Sequence, residues 1–244
     1  MKKWIYRILL AVCIGVFAYS AYNLWQIYST KQAVEKEVEI LSQNVVTESK
    51  TLEPDWAALQ AQSPDIVAWL YIPGCNVSYP VVQGDNNSFY LNHTISGEYN
   101  EMGAFFLDYA ANPGFADDNS IIYGHSVEGG GMCTDLRNYL DKNFFDTHQT
   151  FYLLTPEQNY ECQVAFFAAT LDGSAFYTTS FGDFRDQTMA DMMAQTTYAG
   201  NVDLSEGRFV TISTCDLDYG FNSDHRFVLT GKLQPMLGPV NIVD

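Results

Sequence analysis

The sequence predicts a mainly β domain, an eight-stranded β-barrel closed or nearly closed on itself, held behind an N-terminal membrane anchor. Between Ile66 and Leu233 the chain breaks into eight short runs rich in aromatic and β-branched residues, separated by turn residues. Many short strands of this kind favour closure, because a closed barrel leaves no unpaired edge. Helical spacing is convincing at only two places in that domain, Thr134 to Leu140 and Phe184 to Ala194. Ahead of it, an uncharged stretch from Ile8 to Thr30 follows Lys2, Lys3 and Arg7, long enough to cross a hydrocarbon core of roughly 30 Å as a helix.

Taken in order, residues 1–30 form the anchor, with the basic end cytoplasmic and Trp25 and Tyr28 at the far headgroup level. A cleaved signal using Ala18 and Ser20 conflicts with the apolar residues that continue to Ile27. Acylation at Cys13 conflicts with the bulky Val12 before it, so Cys13 reads as a lipid-facing side chain. Residues 31–54 read as a juxtamembrane stalk or helix, a spacer with Val34, Val38 and Leu41 at helical spacing. Glu53-Pro54-Asp55 is a helix entry, and the compact domain is expected to span 55–236, leaving 237–244 as a tail.

The strand runs are Ile66 to Ile72, Val77 to Val82, Ala104 to Asp108, Ser120 to Tyr123, Thr150 to Leu154, Cys162 to Thr170, Arg208 to Ser213 and Phe227 to Leu233. Met189, Met192 and Met193 give the second helical stretch an apolar face, which reads as core packing.

With 12 Lys and Arg against 29 Asp and Glu, the formal charge of −17 repels phosphates and argues against nucleic-acid binding. The five cysteines show no CxxC pair and an odd total, and the four histidines lack metal-ligand spacing, so neither a disulfide framework, a metal nor a cofactor is expected. A free thiol with a purpose remains. Cys215 ends the run Thr211-Ile212-Ser213-Thr214-Cys215, His125 follows Ile121-Ile122-Tyr123-Gly124, and Arg226 opens the run to Lys232. All three stand at strand ends, where a rigid scaffold hands side chains to a cleft. A thiol attacks carbonyls as thiolate, which a positive neighbour favours. Spacing alone does not show that the three converge; by itself it favours a buried Cys, a loop His and a surface Arg. His93, His148 and His225 read as solvated neighbours, and Cys75 and Cys162 as structural.

The segments Asn119-Ser120-Ile121-Ile122-Tyr123-Gly124-His125, Thr211 to Cys215, and His225-Arg226-Phe227-Val228-Leu229-Thr230-Gly231-Lys232-Leu233 together resemble the signatures of sortases, in the same order. Asn100 to Asp108 and Gly130 to Leu136 resemble class B members, as does the long insertion between Leu171 and Arg208. That class places a long helix between two late strands. The likeness runs from Trp56 to Leu233. Cys133 departs from it, standing where relatives often have Phe, and Asp216-Leu217-Asp218 raises the question of an acidic third member. Asp218 is expected to end the strand.

The resemblance implies a cysteine transpeptidase. Cys215 is the nucleophile, His125 the acid and base, and Arg226 the oxyanion and substrate clamp, with Ser213 and Thr214 on the groove floor binding substrate. The implied partners are secreted proteins with a C-terminal sorting motif and, as acceptor, an amine of the cell-wall precursor or a pilin lysine. A surface cysteine endopeptidase and a non-catalytic β-barrel binding module, an adhesin or haem-binding type, are the rival readings.

The predicted topology is directly testable. Protease added to intact cells stripped of their wall should digest the barrel, and protection until lysis reverses the orientation.

Overall fold

A computed structural model describes residues 2–47, 50–127, 129–220 and 223–242. Eight strands build the barrel: β1 Ile66–Ile72, β2 Val77–Val82, β3 Phe105–Leu107, β4 Asn119–Tyr123, β5 Thr150–Leu154, β6 Asn159–Leu171, β7 Phe209–Cys215 and β8 His225–Met236. Their order around the sheet is β8-β7-β4-β3-β2-β1-β5-β6, and β6 pairs with β8 to close it. Most neighbours are antiparallel, but β2 with β3 and β4 with β7 are parallel.

The parallel β4–β7 pair decides where the chemistry falls. Its register sets Tyr123 beside Ser213, and the Gly124 N–H extends the ladder by donating to the Ser213 carbonyl at 3.1 Å. The residues that follow, His125 and Cys215, therefore leave the barrel at the same end. Antiparallel β8 begins there, with Arg226 directly opposite Cys215; side chains so paired have Cβ atoms about 5 Å apart.

Strand alternation sorts β7 into two faces. Val210 and Ile212 point into the main core with Trp69, Phe105, Phe151 and Phe167. Phe209, Thr211, Ser213 and Cys215 face outward, and Phe209 lies in a second, smaller core with Phe166, Phe176, Phe181, Met192 and Val228. That second core is the cover laid over the barrel by residues 172–207, and Cys215 stands where the cover stops. The cover carries the helix Arg185–Gln195, between β6 and β7 as expected. Met189 and Met192 are buried in it, but Met193 is exposed, because it falls off the inward stripe. Thr134–Leu140 is a 3-10 helix throughout.

The buried Asn119 side chain ties this cover to β4. Its Nδ2 donates to the carbonyls of Phe176 and Thr178 at 2.9 and 3.0 Å, and its Oδ1 accepts from the Thr211 hydroxyl at 2.9 Å. A buried amide with every strong bond satisfied costs little and fixes one arrangement.

The N-terminal helix α1, Lys2–Ser42, runs unbroken for 41 residues, roughly 60 Å. Its outer part does not act as a spacer. Val34, Val38 and Leu41 are buried in the main core, with Val45 and Leu52 beyond the helix. The Glu37 carboxylate accepts from the N–H groups of Ile95 and Ser96 at 3.2 and 2.8 Å, and Lys31 Nζ donates to the Gly129 carbonyl at 3.1 Å. The stretch expected as a stalk thus packs on the barrel, so the core reaches N-terminal of residue 55. Glu48 and Ser49 of that stretch lie outside the described residues. The helix α2, Trp56–Gln62, is capped by Asp55 through the Ala58 N–H at 3.0 Å. The expected tail is also tied down: Val240–Asn241 pair with Thr51–Leu52, and Val240 is buried. Val243 and Asp244 lie outside the described residues.

Candidate active site

A cleft of about 280 Å³ opens at the barrel end defined above, and His125, Cys215 and Arg226 all line it. The strand register had already set two of them opposite each other, so the cleft adds the third by geometry. Ser213 and Thr214 line it too, with Leu91 from the β2–β3 connection and Asp172 and Tyr177 from the cover.

Of the cysteines, Cys75, Cys133 and Cys162 are buried, while Cys215 is half-buried at the cleft. Burial pushes the Cys75 thiol up to about 12, with Asp135 adding to it. It raises Cys133 and Cys162 well above the ordinary thiol value. These three are held as neutral thiols.

His125 lies in a connection folded back on itself, where the Cys133 N–H donates to the His125 carbonyl at 3.1 Å. Its ring Nε2–H donates to the Leu91 carbonyl at 2.8 Å. A carbonyl only accepts, so the proton on Nε2 is fixed and Nδ1 is the nitrogen free to exchange one. Gly124 is required here by close approach: a Cβ would stand 2.7 Å from the Phe105 ring and 2.8 Å from Cys133 Sγ. Both neighbours are fully buried. The small Cys133, which sets this chain apart from its expected pattern, packs directly behind the residue preceding His125.

Arg226 is half-buried and held on three sides. Nη1 donates to the carbonyls of Ser223 and His225 at 2.8 and 2.9 Å, and Nη2 to Asp172 Oδ2 at 3.3 Å. Its carboxylate partner is therefore Asp172. The Asp218 carboxylate faces Arg137 at 3.2 Å instead of His125. Asp216 caps the short turn Leu217–Tyr219 by accepting from the Asp218 N–H at 3.0 Å. The side chain that caps the turn after β7 is thus Asp216, while that of Asp218 turns to Arg137.

The Ser213 hydroxyl shares a 2.6 Å hydrogen bond with Tyr177 Oη. Desolvation raises the Tyr177 phenol, which stays neutral and holds Ser213 in place. Thr214 points to the other face, and its hydroxyl bonds Ser126 Oγ at 2.9 Å. The other histidines are less solvated than expected. His225 stacks on Tyr219 with centroids 3.5 Å apart, His93 on Phe89 at 4.1 Å and His148 on Phe144 at 3.8 Å.

Asp172 and Tyr177 were not singled out from the sequence. Both lie in the insertion, where no local pattern reveals which side chains return to the barrel end. The contact follows from the Asn119 bonds to the backbone of Phe176 and Thr178, which a sequence does not display.

A rigid barrel end that offers one accessible thiol beside an imidazole and a guanidinium suits cysteine enzymes that move acyl groups. The comparison with known proteins narrows this. The sortase domain family matches residues 70–234. The sortase B of Listeria monocytogenes is 31% identical over 243 residues, covering 96% of this chain and 98% of its own. Solved Listeria monocytogenes sortase B superposes with a TM-score of 0.65 at 34% identity, over 72% of this chain and 99% of that one. A Streptococcus pyogenes class B sortase involved in pilus biogenesis gives 0.66 at 30%, over 74% and 98%. The chain belongs to the sortase family, as a class B member, and is a cell-surface cysteine transpeptidase acting on sorting-motif substrates.

Replacing Gly124 by Ala should test how tightly the wall behind His125 is packed. An added methyl between two fully buried neighbours is expected to destabilise the fold by about 1–3 kcal/mol and to slow acylation by displacing His125. A variant with wild-type melting temperature and rate means the wall yields freely.

Proposed function

We propose that Cys215 is the nucleophile of this transpeptidase, that His125 is its acid and base, and that Arg226 holds the carbonyl under attack. The observation that supports this most is the register of β4, β7 and β8, which gathers the three side chains into one cleft. Cys215 is also the one described cysteine at that cleft; burial holds Cys75, Cys133 and Cys162 as thiols.

The reaction runs in two halves. Cys215 Sγ, as thiolate, attacks the scissile carbonyl carbon of the sorting signal. As the C–N bond breaks, imidazolium His125 gives the Nδ1 proton to the leaving amine, and a thioacyl enzyme remains. An incoming amine then attacks the thioester, yields a proton to His125, and the C–S bond breaks to restore the thiolate. The Leu91 carbonyl keeps the Nε2 proton in place through both halves.

Arg226 would meet the oxygen on which charge develops. Its bonds to Ser223, His225 and Asp172 take three of the five guanidinium N–H donors. They orient the remaining donors before substrate arrives, which is what makes such a group effective in the transition state. Ser213, fixed by Tyr177, and Thr214 are proposed to line the groove for the peptide.

The donor we propose is a secreted protein bearing a C-terminal sorting pentapeptide, and the acceptor an amine of the cell-wall precursor. The apolar part of α1 supports a single-span anchor, with the N-terminus cytoplasmic and the barrel outside the cell.

Arg226→Lys separates a clamp from a surface ion pair. Lysine keeps the charge but replaces a planar fork with a compact point charge on a flexible stem. Acylation should fall on the order of 10²-fold, comparable to losing one oxyanion donor, with little change in melting temperature. The Asp172 side chain is 57% exposed, so an ion pair alone contributes about 0–1 kcal/mol, which lysine would retain. Wild-type single-turnover acylation in the Lys variant would sink the clamp role.

A further inference from the structure

Every side chain of α1 from Lys3 to Tyr22 is exposed, and Asn23 is the first to be half-buried. From there on the barrel lies against the helix. Asn23, Gln26 and Ile27 line one side of a space whose other side includes Tyr99, Cys215 and Leu217. This first contact falls inside the uncharged stretch Ile8 to Thr30. A hydrocarbon core of roughly 30 Å takes about twenty helical residues, so one entered at Ile8 is left near Ile27. The barrel therefore begins at the depth of the outer headgroups, with no length of free helix between it and the bilayer.

The helix also fixes which way the barrel points. Residues 23–30 of α1 stand beside the end that carries Cys215. The chain beyond its last turn reaches the other end, where Leu52 pairs with Val240, just past the close of β8. No Gly or Pro lies between Val16 and Ser42 to bend α1. The Asn100 amide donates to the Thr30 carbonyl at 3.0 Å and Lys31 Nζ to the Gly129 carbonyl at 3.1 Å, so the barrel is held against rotation about the helix.

We infer that the barrel end carrying the catalytic cleft rests on the lipid surface, through an exposed aromatic rim formed by Phe89, Tyr99 and Tyr219. The inference rests on the single-span anchor proposed above.

The chemistry of the rim fits a headgroup layer. Tyr99 and Tyr219 are 67% and 60% exposed. His93 stands between Phe89 and Tyr99, stacked on the first at 4.1 Å and edge-on to the second at 5.9 Å, and Tyr219 stacks on His225 at 3.5 Å. Amphipathic rings with a polar tip are favoured at the membrane–water boundary, the level at which α1 carries Trp25 and Tyr28.

Charge argues against an electrostatic contact. The formal charge of −17 opposes attraction to anionic lipid, and Lys31 and Arg137 near this end are paired with Glu35 and Asp218. The contact is made by neutral rings and held by the anchor. The opposite barrel end supplies a control. Phe184 is 74% exposed there; its neighbour Arg185 pairs with Asp118, just before β4, and donates to the Gly207 carbonyl, just before β7.

The test uses the full chain in phosphatidylcholine nanodiscs, with p-benzoylphenylalanine placed singly at Phe17, Tyr99, Tyr219 or Phe184. All four side chains are exposed, so the fold is retained. Illumination followed by mass spectrometry reads the lipid adduct at each position. Adducts are expected at Phe17, Tyr99 and Tyr219, with a yield at Phe184 on the order of ten-fold below that at Tyr99. An adduct at Phe17 with none at Tyr99 or none at Tyr219, or equal yields at Tyr99 and Phe184, overturns the inference and leaves the anchor standing. No adduct at Phe17 overturns the anchor itself, and this inference with it.

Discussion

The parallel pairing of β4 with β7 is the constraint on which the rest of the site depends. Parallel strands bring their C-terminal ends together, so the residues that follow Tyr123 and end β7 emerge side by side. Antiparallel β8 then brings its first residues to the same end. Three side chains separated by ninety and eleven positions need no special loop to meet; the ladder register does it. A slip of one residue in β7 would exchange the faces of Cys215 and Thr214 and turn the thiol away from Arg226, since successive side chains alternate faces. The full burial of Val210 and Ile212 on one face and Phe209 on the other opposes that slip.

The cover of residues 172–207 turns a barrel end into a cleft. Its own small core, with Phe176, Phe181 and Met192, anchors it on the outward faces of β6, β7 and β8. Asn119 fastens the turn that carries Tyr177, Tyr177 holds Ser213, and Asp172 holds Arg226. Stability and geometry are served by the same contacts. The cover satisfies buried polar groups of the barrel and presents two polar groups to the cleft at fixed positions. On the opposite side α1 does the equivalent, burying Val34, Val38 and Leu41 and leaving its polar face across from His125.

Much of this was legible in the sequence, for identifiable reasons. Strand runs and turns repeat with period two and mark the barrel, and Cys215, His125 and Arg226 each stand at the end of a run. Their convergence was legible only through resemblance, because spacing carries no information about register. The spacing of Val34, Val38 and Leu41 signals a buried face but not what buries it, so a docked helix read as a stalk. Val240 pairing with Leu52, and His225 stacking on Tyr219, depend on contacts made after folding. Cys133 read as a departure from a pattern; the structure gives it a location, against Gly124 behind His125.

The central claim is that acyl transfer passes through Cys215, and a covalent intermediate tests it most directly. The full chain is incubated with a sorting peptide that it cleaves, without added amine, quenched in acid and digested for mass spectrometry. The account predicts an adduct of the acyl fragment on the peptide containing Cys215, retained in Cys75→Ala and Cys162→Ala and absent, with all cleavage, in Cys215→Ala. Cleavage that survives in Cys215→Ala, or an adduct on another cysteine, would contradict it.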